Sequence, residues 1–328
     1  MKAAYFEKYG PAAEVLGVGE RETPKPGPGE VRVRLYTSGV NPSDVKKRAG
    51  SQPAGIEQGY VIPHSDGAGV IDAVGDGIPK SRIGERGWVY QAQYQRRFGT
   101  AAEYVTLPAV RAVPLPENVD FSTGACLGIP AMTAHRCVFA DGDVRGQTVF
   151  ITGAGGRVGY YAVQWAKSAG AHVIATAGRD ETLQHARNAG ADSVLNYRTD
   201  DVPQRVLELT NGAGVERVID VEFGANLVTT LKLIRTNGVI ATYSSTQVRE
   251  PVLPFYPLMF KDITVRFVLV YTMPEAAKNQ AADEITRFLR AGRLKHRVAE
   301  RHSLAAIARA HETIERGAVS GCVVVEIP

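Results

Sequence analysis

From residue 148 onward the chain alternates short apolar runs with amphipathic stretches of about ten residues. The runs 172–176, 193–195, 216–220, 239–243 and 263–270 predict strands, and the segments 181–189, 202–210 and 226–234 predict helices between them. Such alternation predicts a doubly wound α/β domain, a parallel sheet with helices on both faces and ligands at the carboxyl ends of its strands. The first hundred residues are patterned differently. Short β-like runs at 30–35, 68–74, 88–90 and 102–105 are broken by a proline- and glycine-rich turn at 24–29 and by scattered glycines, which predicts a compact β-rich domain. The chain then turns helical at 274–291 and 304–316 and ends in an apolar strand at 322–327. That last strand needs a sheet to join. Its return to the first domain predicts a discontinuous domain, 1–124 with 273–328, around an inserted domain at 125–272.

The inserted domain opens with the run 148–159, TVFITGAGGRVG. Val149, Phe150 and Ile151 suit a buried strand, and Val158, Ala162, Trp165 and Ala166 suit the inner face of a helix. Between them Gly153, Gly155, Gly156 and Gly159 allow a tight turn and close backbone approach. The exposed N–H groups at the helix start, around Arg157 and Val158, attract an anion, so the segment reads as a nucleotide-pyrophosphate site. The tip of the next strand selects the dinucleotide. An NAD site places an acid there to accept from the ribose hydroxyls. Here the strand ends Thr176-Ala177-Gly178-Arg179 with no acid. A guanidinium can bind a 2′-phosphate through charge-assisted, bidentate hydrogen bonds, which predicts NADPH. The alternative is that Arg179 is a surface residue neutralised by Asp180 and Glu181.

Six segments in one order then carry a resemblance: GVNPSDVKKRAG at 39–50, DGAGVIDAVGDG at 66–77, GTAAEYVTLP at 99–108, GACLGIPAMTAHR at 124–136, GAGGRVG at 153–159 and NGVIATYSS at 237–245. Over essentially its whole length the chain resembles the zinc-independent quinone reductases, the zeta-crystallin-like branch of the medium-chain dehydrogenase/reductase superfamily. The resemblance implies a GroES-like β-rich catalytic domain beside a Rossmann domain. In the zinc-dependent members a Cys ligand lies where Asn41 stands, a His where Ser65 stands and a Cys near Ile129, so no catalytic metal is expected. The three cysteines, Cys126, Cys137 and Cys322, lack the clustered spacing of a structural zinc.

Without a Lewis acid, the plausible acceptor is one that is already electron-poor, a quinone or a conjugated enone. The resemblance makes Asn41 and Asp44 the active-site pair, although an Asn-Pro-Ser-Asp string is also a turn signal. It brings Thr133 to the nicotinamide end and Gly178, Arg179 and Tyr197 to the adenosine phosphate. Asn226 and Tyr243, Ser244, Ser245 and Thr246 follow strand ends, and Val268, Leu269 and Val270 would offer backbone bonds to the carboxamide. Lys46 replaces a Tyr found in many relatives; it can reach a phosphate or an oxyanion but cannot stack as a phenol does. A homodimer is implied, with 263–270 as a candidate sheet edge.

The reading thus predicts an NADPH-dependent quinone reductase, with enone or alkenal reduction as the alternative and a non-catalytic NADPH-binding protein as a third possibility. Composition changes little. A chain of 328 residues with 44% hydrophobic content suits two domains. The net charge of +4 is mild and its cations dispersed, which offers no track for nucleic acid. The few cysteines, with no apolar run of membrane-spanning length and no signal-peptide pattern at the start, predict a cytoplasmic enzyme with no membrane partner. The aromatic run 255–260 reads as core or subunit contact, His302 and His311 as an exposed helical face, and Cys126 and Cys137 as buried apolar groups.

Overall fold

A computed structural model describes residues 1–317 and 319–328. The chain divides into two compact units, one of Met1–Ile129 with Ala282–Pro328 and the other of Pro130–Ala281. The divisions fall inside the helices Gly128–Phe139 and Glu275–Arg290, not at 124/125 and 272/273. Helical hydrogen bonding continues through both, so no loop marks them in the sequence.

The second unit is built from β1 (Thr148–Ile151), α1 (Arg157–Ser168), β2 (His172–Ala177), α2 (Asp180–Ala189), β3 (Ser193–Asn196), α3 (Val202–Leu209), β4 (Val215–Asp220), α4 (Phe223–Leu233), β5 (Ile234–Thr242), α5 (Phe255–Phe260) and β6 (Thr264–Phe267). Its six strands are all parallel in the order β3-β2-β1-β4-β5-β6. That is the doubly wound order, with the reversal of direction between β1 and β4 where such sheets bind ligands. Val149, Ile151, Val173, Ile174, Val218, Ile219 and Ile240 are completely buried. The apolar runs read as strands because helices cover both of their faces. α1 turns Ala162, Trp165 and Ala166 into the core, and the Trp165 indole donates to the Ala131 carbonyl at 3.3 Å.

Two expectations for this unit need correction. The strand predicted over 263–270 stops at Phe267, and Val270–Thr272 forms a 3₁₀ turn. β6 is the edge of the sheet, and its partner β5 ends at Thr242, so the ladder has nothing further to pair with. Of the two readings of the aromatic run 255–260, core applies only to Leu258, which packs against the sheet's core, while Phe255, Tyr256 and Phe260 are all more than 60% exposed on α5.

The first unit is a mostly antiparallel seven-stranded sheet. Its long strand Glu30–Val40 pairs with Asp66–Val74, Tyr104–Pro108 and the final strand Cys322–Glu326. Val323 lies opposite Val40, so the last strand closes the sheet begun by the first hundred residues. Alternate residues of the long strand, Val31, Val33 and Leu35, enter a core shared with Ile71, Val105, Leu107, Val323 and Val325. The period-two pattern is the sign of a sheet with one buried face.

Two readings fail in this unit: His302 is not on a helical face but half-buried on the strand Val298–Ser303, its Nε2 2.9 Å from Glu300 Oε2. His311 lies on the helix Ile307–Arg316 but is fully buried, and its Nε2 lies 2.9 Å from the Nε2 of His64, with the rings stacked. The helix turns that residue inward along with Ile307, Ala310 and Ile314, whereas the arginines around it suggested a polar face. His64 is therefore half of a buried pair; its Nδ1 bonds Ser38 Oγ at 2.8 Å. Burial pushes the His64 ring down to about 3 and lowers His311 as well, with His64 and Arg48 adding to the effect, so both rings are neutral.

Candidate active site

In the second unit the glycine loop joins β1 to α1 at the point where the sheet reverses. Gly153 has φ +62°, a left-handed conformation that suits glycine, and a side chain there would also press on Val221, with Cβ 2.9 Å from Cγ1. Gly156 is the N-cap of α1 and, being glycine, brings no side chain of its own to cap that helix start. Its first-turn amides and the helix dipole thus make a cradle for an anion, with Gly155, Arg157, Val158 and Gly159 around the turn. Around it lies a cavity of about 620 Å³ lined by Thr152, Gly153, Thr176, Tyr197, Glu222 and Asn226, among others. These residues stand at or just beyond the carboxyl ends of β1, β2, β3 and β4, and they fit a dinucleotide.

The tips of β2 and β3 meet. A Cβ on Gly178 would come within 2.5 Å of the Tyr197 ring, so glycine is what lets the phenol lie against the strand end. Arg179, exposed, follows at the N-cap of α2, whose positive end adds to its attraction for an anion. Arg198, missed in the sequence, places its guanidinium 6.0 Å from the Tyr197 ring centre. Acids do line this cavity, but backbone groups occupy them. Asp200 accepts from the Asn196 amide, Asp201 caps α3 through the Gln204 amide, and Glu222 accepts from the amides of Thr246 and Gln247, both at 2.9 Å.

Asn226 lines the first cavity and donates Nδ2 to Asp220 Oδ1 at 2.8 Å. Tyr243, Ser244, Ser245, Val268 and Leu269 line a separate cavity of about 440 Å³ beyond β5 and β6. Ser245 Oγ accepts from the Gly224 amide, and Ser244 Oγ contacts Thr246 Oγ1 at 3.1 Å. The Val268 amide is already committed to the Thr242 carbonyl at 2.7 Å. Thr133, Thr246 and Val270 do not line either cavity. Thr133 and Val270 are buried, the former within the helix Gly128–Phe139.

The first unit contributes a polar cluster of another kind. The short helix Pro42–Arg48 starts at Asn41, and the Asp44 carboxylate folds back to accept from the Asn41 amide at 2.8 Å. This is the turn chemistry the Asn-Pro-Ser-Asp string implied. The Asn41 side chain completes the capping box toward the Asp44 backbone and also crosses to Asp66, Nδ2 donating to Oδ2 at 2.9 Å, and the Ile129 amide donates to the same oxygen at 2.8 Å. Asn41, Asp44 and Asp66 are nearly or fully buried. Burial raises the Asp66 carboxyl well above its ordinary value, with the Asp44 charge adding to it and the two donors opposing it. Lys47, half-buried beside Asp44, is lowered by its own burial. Lys46 is half-buried on the same helix.

Asp66 was legible only as the first letter of DGAGVIDAVGDG, a polar residue opening an apolar strand. Positions 41 and 129, read by resemblance as zinc-ligand positions in other members, are joined here through its carboxylate. Among the described residues no group of three or more His, Cys, Asp or Glu is arranged to hold a metal ion. No helix among them is long and apolar enough to cross a membrane. The three cysteines are buried and unbridged.

Comparison with known proteins agrees with both units. Residues 158–287 match the family described as Zinc-binding dehydrogenase, and residues 27–117 match Alcohol dehydrogenase GroES-like domain. The chain is 30% identical to the human quinone oxidoreductase, covering 95% of this chain and 93% of that one. It is also 30% identical to a 2-haloacrylate reductase of Burkholderia sp, with coverage of 95% and 94%. Among solved structures, an NAD-dependent alcohol dehydrogenase superposes with a TM-score of 0.89 at 30% identity over the whole of both chains. The Escherichia coli quinone oxidoreductase complexed with NADPH superposes with a TM-score of 0.87 at 25% identity, covering 99% and 100%.

Proposed function

Because the chain belongs to the quinone oxidoreductase family of the medium-chain dehydrogenase/reductase superfamily, we propose that it is a zinc-independent NADPH:quinone reductase. The observation that carries the reading is the β2 tip, where Gly178 lies against the Tyr197 ring, Arg179 follows and no acid ends the strand to repel a 2′-phosphate. The names of the relatives support a quinone as acceptor. In balance, NADPH, a proton and a quinone give NADP⁺ and a hydroquinone.

When bound, NADPH supplies the hydride; the protein supplies binding, orientation and electrostatics. The amides at the start of α1 hold the pyrophosphate, and Arg179 with Tyr197 holds the 2′-phosphate. Glu222 stiffens the 243–247 loop through its two backbone bonds, so that Tyr243 and the serines after it keep their places. Asn41 donates a hydrogen bond to the acceptor oxygen on which negative charge develops, and Asp44 braces its backbone. The 2-haloacrylate reductase among the relatives favours a second reading, reduction of an activated carbon–carbon double bond, which uses the same donors. Initial rates of NADPH oxidation over ortho-quinones, para-quinones and enones separate the two. Fast quinone turnover supports the first, turnover of enones alone the second, and NADPH binding without any turnover rejects both.

The same proposal includes a homodimer. Phe255, Tyr256, Phe260 and Phe267 are exposed around the free edge of β6, an apolar surface of the kind a second chain covers. Light scattering is expected to give a dimer for the native chain and a monomer for Phe267→Asp; a native monomer rejects it.

A further inference from the structure

Asp66 belongs to none of the expected sites, yet three segments of the first unit meet at its carboxyl group. It opens the strand Asp66–Val74, and its own carbonyl is held by Thr100 Oγ1 at 2.6 Å. Its Oδ2 accepts from Asn41 Nδ2 and from the Ile129 amide in the first turn of the helix Gly128–Phe139. These two donors occupy both lone pairs of Oδ2, so a proton carried by the group sits on Oδ1 and leaves the arrangement intact. Flipping the Asn41 carboxamide would set its Oδ1 against Oδ2, acceptor against acceptor. The carboxamide is therefore fixed in one sense, with one N–H committed to Asp66, the carbonyl turned to the Asp44 amide in the capping box of the helix Pro42–Arg48, and the second N–H as the donor for a ligand.

The surroundings fit this use. Asp66 is fully buried, so it acts through Asn41 and does not itself meet a substrate. Its Oδ1 has no hydrogen-bond partner among the described residues and lies over Gly128, where a Cβ would approach to 2.1 Å. Glycine at 128 is what leaves room for the carboxyl group.

We propose that Asp66 is a positioning residue for Asn41, its Oδ2 holding the carboxamide in the orientation that donates to the acceptor oxygen. This rests on the reading of Asn41 as the group that meets the acceptor. The competing role is purely structural, a cap on the helix that starts at Gly128.

The experiment compares Asp66→Ala, Asp66→Asn and Gly128→Ala, each alone and combined with Asn41→Ala, by two readouts. The first is proton exchange of the Asn41 side-chain amide in the cofactor-free protein, followed by ¹⁵N NMR. Protection is expected in the native chain and in Asp66→Asn, whose carbonyl can accept both donors, and is expected to be lost in Asp66→Ala. The second is kcat on a quinone, expected to fall about 10²-fold in Asp66→Ala, with the dissociation constant for NADPH within about twofold of native. Asp66→Asn recovers most of that loss. Gly128→Ala, whose new methyl displaces the carboxyl group, reproduces it in a chain that keeps Asp66, which covers the case of an unfolded Asp66→Ala. Over Asn41→Ala none of the three is expected to lower kcat further, because residues acting as a unit are non-additive. Additive losses, or an Asn41 amide unchanged in Asp66→Ala, reduce Asp66 to a helix cap. If the native chain reduces no quinone, the functional reading fails while the exchange measurement still decides the orientation.

Discussion

The two units build their candidate sites from different materials. The dinucleotide unit uses backbone: amides at the start of α1, a left-handed glycine and strand ends that stop in the right places. The first unit uses buried side chains, with Asn41 donating from its backbone amide to Asp44 and from its carboxamide to Asp66. A backbone site tolerates many side chains but few changes of conformation. A buried polar network tolerates changes around it but none of its members, because each loss leaves another group unpaired in a medium of low dielectric.

The largest expected effects test that contrast directly. Asn41→Ala is expected to lower kcat on quinones by about 10²- to 10³-fold, the usual consequence of removing one donor to a developing oxyanion. Turnover at the native rate would take Asn41 out of the mechanism. In the other unit, Gly153→Val forces a β-branched residue into the left-handed region, at a cost of about 1–3 kcal/mol. Calorimetric titration is expected to give NADPH binding weakened at least tenfold while kcat at saturating NADPH changes less. Equal damage to both quantities would erase the distinction between the units.

A smaller effect sharpens the same comparison, because Arg179 is the side chain proposed to give the backbone cradle its selectivity. Arg179→Glu is expected to lower the ratio of NADPH to NADH affinity by about 10- to 100-fold, the worth of a charge-assisted hydrogen bond. A ratio equal to the native one removes Arg179 from the phosphate site and returns it to the surface role it had as the alternative.

The smallest effect concerns the first unit alone. His64 and His311 are neutral when folded, His64 titrating only at about 3 against 6.5 ordinarily. The unfolded chain takes up protons that the folded chain refuses, so their contribution is complete above pH 6.5 and lost as pH falls toward 3. Thermal unfolding is expected to show Tm falling over that window. His311→Gln keeps a partner for His64 and removes one titration, so its unfolding free energy should fall less steeply, by up to about 1.4 kcal/mol per pH unit, and its Tm with it. Identical slopes would show that acid sensitivity lies elsewhere.

Legibility followed the same division. The doubly wound unit could be read because strands buried on both faces are continuous apolar runs and because the glycine turn requires residues of one type at set spacings. β6 was over-extended in the reading, since where an edge strand stops is set by the length of its neighbour. His311 was misread because the arginines beside it suggested an exposed face, while its partner lies 247 residues away.

What the sequence determined by itself is local: helical and strand periods, the glycine loop, the missing acid at the β2 tip, and Asn41 with Asp44 in one helical turn. What only the tertiary structure decided is which distant groups share a hydrogen. Asp66 lies 25 residues from Asn41 and 63 from Ile129, and His64 pairs with a residue near the other end of the chain. Periodicity reports which face of an element is buried, but the partner of a buried polar group depends on which strands the sheet brings side by side.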